Sequence, residues 1–590
     1  MTQAQYSAEQ DGALQEWSLR PLALSLLLAL AGLAVYFASH NADGNAMRMA
    51  FAAGAFFGPL ALAFTLAADR WKSALVFASG VGLVMAGIAW RAASAGDRYV
   101  DASFWVAAGV LAITLSLPLF QAGFHKWRWR TDYKTTHFHV WTDAITGAGA
   151  LAFVGLSWAL ILVLGELFRV IQIDLLSDLI KEQWFGWAFN GATFGAALGV
   201  LRNQLKIIGT LQNVVLLVLS ILAVPLAIAL VIFLLSVLVS GLDVLWEATR
   251  SATPLLLSIA VGCFVLANAV VRDDDENTSA SRPLRMAGFV LALGILPLSV
   301  MASISMGTRI AQHGLSPERL WAIVAIAVAV AYGVGYFVSA IRGRKDGWRR
   351  YLRQSNLHLA VLTCFVAFLL AMPVFNFGAI STSNQLSRLE SGVVSVEDFD
   401  FAALKFDFGD AGRDALKRLE QDDDPEIASL AAEAQALESR PWRGASTIAR
   451  RNEIVSNVDL SAFNVEAASA IRAYLRDDIS LCREGCRVFL LEQREDGQLV
   501  VVFTDRAWGP RYHLLLVPAQ GGKALLQRVR GGYIGPADSN LSATAIDLVD
   551  SAAAEADETS EPQAEGVVEL RPFIGQQVYV DGEPVGNPFK

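Results

Sequence analysis

The sequence predicts an α-helical integral membrane bundle of about 11 transmembrane helices followed by a C-terminal soluble α+β domain. Three observations point there. Hydrophobic residues make up 54% of the 590 and charged residues only 17%, against about 25% charged in soluble chains. Apolar runs recur throughout the first two thirds of the chain. Charge is also divided: residues 1–380 hold 26 basic and 21 acidic side chains, and residues 381–590 hold 21 and 35. An apolar, slightly basic front therefore precedes an acidic, water-soluble back. This composition excludes a disordered chain and an ordinary soluble enzyme, and no nucleic-acid partner is expected.

A helix rises about 1.5 Å per residue and the hydrocarbon core is about 30 Å thick, so roughly 20 apolar residues cross it. Eleven runs approach that length: Pro21–Ala38, Met49–Ala68, Ser73–Trp90, Phe104–Phe120, Ala144–Gly165, Trp184–Leu201, Leu211–Val239, Pro254–Val271, Met286–Met306, Leu320–Ala340 and Leu357–Met372. Glu9, Asp11 and Glu16 precede the first run with a single Arg20, which is not the basic start of a cleaved signal, so that run is expected to stay. Pro225 marks the long seventh run for tilting or kinking. Gly58-Pro59 reads as a proline kink. Trp71, Trp90, Trp105, Trp184, Trp246, Trp321 and Trp348 lie near run ends, where indole rings favour the interface. Phe168–Gln183 reads as a short amphipathic helix on the membrane surface.

Basic residues set the orientation. With the N-terminus inside, the inner segments hold 18 Lys and Arg and the outer loops hold 8. Residues 1–20 are then a cytoplasmic segment, 21–372 the membrane domain, 373–420 an amphipathic exit segment and 421–590 an exported α+β domain.

Within the bundle, Gly191, Gly195 and Gly199 repeat every four residues. This spacing places them on one helix face, where a neighbouring backbone can approach closely. No Asp, Glu, Lys or Arg lies inside any of the eleven runs, which argues against a buried proton relay. Carboxylates gather just past run ends: Glu166 after the fifth, Asp243 and Glu247 after the seventh. With Asp398 they are the interfacial polar candidates for acid–base work. The loop His125–Asp143 carries His125, His137 and His139 with Asp132 and Asp143, but nothing in the spacing completes a metal site.

In the back half, Asp398, Asp400, Asp407, Asp410 and Asp414 interleave with Phe399, Phe401, Phe406 and Phe408. The EF-hand spacing is missing, and the phenylalanines read as packing residues. Helices are expected at Asn384–Glu390, Asp414–Ser439 and Val465–Leu475. Strands are expected at Arg487–Glu492, Gln498–Thr504, Arg511–Val517, Ala524–Val529, Val567–Leu570 and Gln577–Val580. Glu495-Asp496-Gly497 and Gln520-Gly521-Gly522 read as turns, and Asp550–Gly566 as an acidic excursion. Cys482 and Cys486 suit a local disulfide in an oxidising compartment, while Cys263 and Cys364 read as buried apolar residues.

His139-Val140-Trp141, the stretch Gly165–Ile173, Ser383–Leu386, Phe399-Asp400, Leu404–Asp407 and Ala415-Leu416 together resemble the bacterial "domain of unknown function 4153" family over roughly Thr131–Leu419. The resemblance implies a multi-pass protein of the bacterial cytoplasmic (inner) membrane, hence a periplasmic tail. It implies no reaction, cofactor or catalytic residue. No P-loop, GxSxG, HExxH or Rossmann glycine pattern occurs, and no cofactor or metal is assigned. The expected role is a non-enzymatic envelope protein in contact with the lipid bilayer, with a protein partner bound through the C-terminal domain. The alternatives are a transporter of a small or lipid-like solute without a proton relay, and a membrane-bound transferase acting on lipid-linked substrates.

Overall fold

The computed structural model describes residues 17–40, 44–67, 70–241, 252–276, 278, 281–440, 448–477, 482, 486–493, 497–504, 511–518, 524–527, 529–530, 533–534, 568–572, 576–580 and 583–589. Two compact units divide the chain, Met1–Asn384 and Gln385–Lys590.

The first unit is built from long apolar helices: α1 (Arg20–Ser39), α2 (Ala46–Thr65), α3 (Trp71–Ala95), α4 (Ala102–Gln121), α5 (Tyr133–Val170), the short α6 (Leu175–Lys181), α7 (Gln183–Asn203), α8 (Leu205–Ser240), α9 (Ala252–Val271), α10 (Arg282–His313) and α11 (Pro317–Ala371). Among the described residues, ten helices are long and apolar enough to cross a membrane. The chain is a multi-pass membrane protein. Many of its large aliphatic and aromatic side chains are exposed, among them Leu238, Val239, Leu83 and Leu156. A soluble protein would not present such a belt to water, but lipid accepts it.

α11 holds two of those ten segments. Its 55 residues are helical throughout, yet the Tyr336 hydroxyl lies 2.6 Å from Asn356 Oδ1 and Ser339 Oγ 3.1 Å from Ser355 Oγ. In a straight helix, residues 20 apart are about 30 Å apart. α11 is therefore a hairpin of two antiparallel crossings, Pro317–Gly343 and Gly347–Ala371.

The sixth run differs from the rest. α7 has 21 residues but is too rich in Gly, Trp and Asn to count among the ten. Its neighbour decides its place. A Cβ on Gly191 would meet the backbone of Leu28, one on Gly195 that of Leu24 and one on Gly199 that of Pro21. Gly32 of α1 meets Trp187 in the same way. Rising numbers on α7 match falling numbers on α1, so the helices run antiparallel over their length. If α1 crosses the bilayer, α7 crosses beside it, the eleventh crossing.

Small residues set other contacts too. Gly54 and Gly58 face Gly82 across α2 and α3, and α2 continues through Pro59. α8 likewise continues through Pro225 over 36 residues, longer than a perpendicular crossing needs. The largest core lies between α8, α9, α10 and α11 around Leu256, Cys263, Leu291, Leu298 and Tyr336. Trp71 and Trp90 are half exposed, as interfacial rings would be. Trp105 and Trp348, expected at that level, are instead buried at 1% and 6% exposure. The loop expected at His125–Asp143 is shorter than that. α5 starts at Tyr133, capped by Asp132, whose carboxylate accepts from Thr135 N at 3.2 Å.

α12 (Phe377–Glu390) spans the unit boundary. In the first unit, Phe377 packs with Trp105, Leu370 and Trp321 where α3 and α11 end and α4 begins. The chain thus leaves this unit at the end opposite Arg20.

The second unit contains α13 (Phe401–Phe406), α14 (Gly409–Leu419), α15 (Pro425–Ala436), α16 (Ile448–Ser456) and α17 (Val465–Asp477). Its strands are β1 (Arg487–Gln493), β2 (Gly497–Thr504), β3 (Arg511–Pro518), β4 (Leu525–Gln527), β5 (Val529–Arg530), β6 (Tyr533–Ile534), β7 (Val568–Pro572), β8 (Gln576–Val580) and β9 (Glu583–Phe589). One core gathers Phe399, Phe401, Leu404, Phe408 and Leu416 with Ala431 of α15. The other packs α17 on the antiparallel sheet β1-β2-β3-β4, with Ile471 and Leu475 against Val500, Val502, Leu515 and Val517. The alternate-residue spacing of the valines is the one-face pattern of a half-buried strand. Further antiparallel pairs form β5-β6 and β7-β8-β9. The turns at 495–496 and 520–522 and the acidic excursion 550–566 lie outside the described residues.

Candidate functional site

Six helix ends meet at one end of the bundle. The starts of α1, α3 and α5 lie beside the ends of α2, α4 and α7, and together they enclose a cavity of about 50 Å³. A water needs about 10–15 Å³ of such space, so a few waters or one small polyatomic group fit. Arg20, Arg70, Lys126 and Arg202 line it, with His125, His139 and a single described carboxylate, Asp143. Arg20, Arg70, Gln121 and Arg202 arrive from helix ends, where chain geometry leaves carbonyls unsatisfied, while His139, Thr142 and Asp143 come from the second and third turns of α5. Arg202 donates to the Ala63 carbonyl at the end of α2, and Arg20 donates to the Arg202 carbonyl at 2.9 Å. Gln121 Nε2 donates to Phe64 O at 3.0 Å and to Asp143 Oδ2 at 2.8 Å. Arg20 and Thr142 are both only 4% exposed, yet Arg20 Nε and Thr142 Oγ1 have no hydrogen-bond partner among the described residues. Buried donors without acceptors are rare and call for an explanation.

A second polar cluster ties α5, α9 and α11 together. Asn268 Nδ2 donates to the Tyr336 hydroxyl at 2.7 Å, which donates to Asn356 Oδ1 at 2.6 Å, and Asn356 Nδ2 donates to Asn268 Oδ1 at 2.6 Å. Asn356 Nδ2 also reaches the Tyr133 hydroxyl at 3.3 Å. The ring of bonds closes on itself. Beside it, Arg353 donates to the carbonyls of Val271 and Arg272 at 2.9 and 3.1 Å. Asp275 accepts from Arg353 at 3.1 Å and from Arg349 at 3.0 Å. Partial burial favours protonation of Asp275, but the hydrogen bonds and charges of these two arginines outweigh it and hold the carboxyl below its ordinary range. Asp274 is also held low, chiefly by the Asp275 backbone N–H and further by Lys134. His137 is buried nearby, both ring nitrogens without a hydrogen-bond partner among the described residues. Its ring lies 5.7 Å from Tyr133 and 6.3 Å from Trp141.

The family model described as "Domain of unknown function (DUF4153)" matches residues 53–419. The chain belongs to the DUF4153 family. The match begins inside α2, well before the Thr131 limit expected from local resemblance, so it takes in α3 and α4 as well. Every residue named at the cavity except Arg20 falls inside the DUF4153 stretch. No curated protein and no solved structure matches the chain.

In this DUF4153 protein the residues singled out from the sequence are scattered. Glu166 is exposed and ion-paired with Arg169 one turn on. Asp398 accepts from Ser395 Oγ at 3.3 Å in the second unit. Asp243 and Glu247, like Trp246, lie outside the described residues. His137 and His139 diverge: two residues are about 200° of helix rotation, so His137 faces the polar ring and His139 the cavity. Four of the five acids that interleave with phenylalanine are held by bases. Arg440 bridges Asp400 and Asp407 at 2.8 and 2.9 Å, while Arg413 meets Asp410 and Lys417 meets Asp414. Arg440 is pushed up because the two carboxylates outweigh its burial. Cys482 and Cys486 lie with sulfurs 2.03 Å apart, a bonded distance. The cavity residues Arg20 and Arg202 were missed as site residues because each sits one position outside an apolar run, and Asp143, placed the same way, was weighed only with the histidines of its own loop. Charges abutting run ends at the same face were the available signal.

Proposed function

We propose that this DUF4153 protein is a non-enzymatic component of the bacterial inner membrane, with its N-terminus cytoplasmic and its acidic C-terminal unit in the periplasm as a binding module for an envelope protein. The observation that carries the reading is the second unit itself. It has two closed apolar cores of its own, far more structure than a tether needs. The 18-to-8 distribution of basic residues supports the orientation, and an odd number of crossings brings the chain out opposite its start. A Cys482–Cys486 bond suits an oxidising compartment. Against transfer chemistry, Glu166 and Asp398 are engaged by their own neighbours and belong to different units. Against transport, the Asn268–Tyr336–Asn356 groups satisfy one another rather than opening to a solute.

Two measurements in cells test this. An impermeant thiol reagent should label a cysteine introduced at Asp581 in intact cells, and labelling only after lysis refutes the orientation. Photo-crosslinking from exposed positions such as Val465 should give one discrete protein adduct. A protein that crosslinks to nothing there refutes the binding module.

A further inference from the structure

We propose that the basic cavity and an adjoining apolar groove form one binding site for an anionic phospholipid, with the phosphate in the cavity and an acyl chain in the groove. The groove lies between α3, α4 and the second arm of α11, with a volume of about 520 Å³. Phe77, Gly80, Ile113, Cys364, Phe365 and Phe368 line it. Phe120 and His125 line both the groove and the cavity, and the Phe120 and His125 rings stack there at 4.9 Å. The two spaces therefore adjoin across this ring pair, where α4 ends.

Length and charge favour this occupant. On α4 the groove runs from Phe120 to Gly109. Eleven residues of helix are about 16 Å, close to half of a hydrocarbon core about 30 Å thick. It is as long as one leaflet's acyl chain. At its polar end stand Arg20, Arg70, Lys126 and Arg202 against Asp143. The buried Arg20 Nε and Thr142 Oγ1 lack acceptors among the described residues. A phosphate supplies acceptor oxygens and negative charge together. A zwitterionic lipid brings the same phosphate but adds a cation to a basic site.

The full-length protein, released from nanodiscs of mixed phosphatidylglycerol and phosphatidylcholine, is examined by native mass spectrometry. The expected result is selective retention of phosphatidylglycerol. Arg70→Gln with Lys126→Gln should weaken retention by roughly 25-fold, about fivefold per cation removed. Gly80→Phe tests the groove separately. A Cβ at Gly80 meets nothing within 4 Å and Gly80 lines the groove, so a ring there should occupy the groove and also lower retention. Gly87→Phe, equally open but outside this groove, should not. Equal retention of both lipids overturns the proposal, as does wild-type retention in either test variant. Thermal stabilisation by inorganic phosphate in phosphatidylcholine alone, matching that by phosphatidylglycerol and unaffected by Gly80→Phe, also overturns it by marking a free-phosphate site.

Discussion

Replacing Gly195 by alanine strains the close backbone contact between α1 and α7. The new Cβ would lie 2.6 Å from the Leu24 carbonyl carbon and 2.8 Å from Ser25 N, where ordinary contact begins near 3.4 Å. The obstacle is backbone, so no side chain can swing aside. α1 and α7 must part by most of an ångström, and the Gly191, Gly199 and Gly32 contacts open with them. Overpacking of this kind costs about 1–3 kcal/mol, while the helix preference of alanine over glycine returns about 1 kcal/mol. The net is a loss of up to about 2 kcal/mol. A thiol-reactive dye follows thermal unfolding of the purified protein, because Cys263 is fully buried. Gly155→Ala on α5 is the control, since a Cβ there meets nothing within 4 Å, and it should be neutral or stabilising. If Gly195→Ala unfolds at or above the wild-type temperature, the seam is not as tight as described and the reasoning fails.

Three further outcomes follow from the same geometry. Tyr336→Phe removes the hydroxyl joining Asn268 to Asn356 and should cost about 1–2 kcal/mol; in a double-mutant cycle with Asn356→Ala, purely additive losses would contradict a shared network. Asp275 has a lowered folded pKa, so its contribution is present above the unfolded value of about 3.9 and disappears as pH falls through the lower folded value. Wild type should therefore show an acid step below about pH 4 that Asp275→Asn lacks, and superimposable stability profiles would disprove the tie. Cys482→Ser with Cys486→Ser opens a loop of five residues, worth about 2 kcal/mol by chain entropy. Limited proteolysis of the full chain in membranes should then cut the C-terminal unit faster, and an unchanged cleavage rate would argue that the bond does not stabilise it.

The crossings were legible because apolar run length is a local property that bilayer thickness selects. The sixth run shows the limit of that rule: Gly, Trp and Asn weaken its hydropathy, and only its fit to α1 settles its place. β1, β2 and β3 follow their alternating patterns nearly to the residue. β9 went unseen because Pro584, Gly586 and Pro588 read as loop, and an edge position in its sheet tolerates them. α16, with Arg450, Arg451 and Asn452 in nine residues, shows no helical apolar stripe. The cavity was least legible. Arg20, Asp143 and Arg202 belong to three helices far apart in sequence, and each looks like an ordinary flanking charge until the bundle brings it to the others. Asn268, like Asn190, is visible in the sequence as a polar residue inside an apolar run, but its partners Tyr336 and Asn356 lie on the two arms of a hairpin that the sequence presents as separate runs.

The antiparallel seam of α1 and α7 also has a consequence for biogenesis. Gly195 emerges from the ribosome about 170 residues after Leu24, the position it must touch. At about 5–20 residues per second, the first helix waits roughly 10–35 seconds in the bilayer before its mate exists. In that interval its contact face has only lipid for company. The nascent chain is then open to capture by membrane chaperones or to pairing with the same helix of a neighbouring polypeptide. Slower translation between residues 40 and 183 should lengthen that exposure and lower the yield of assembled protein.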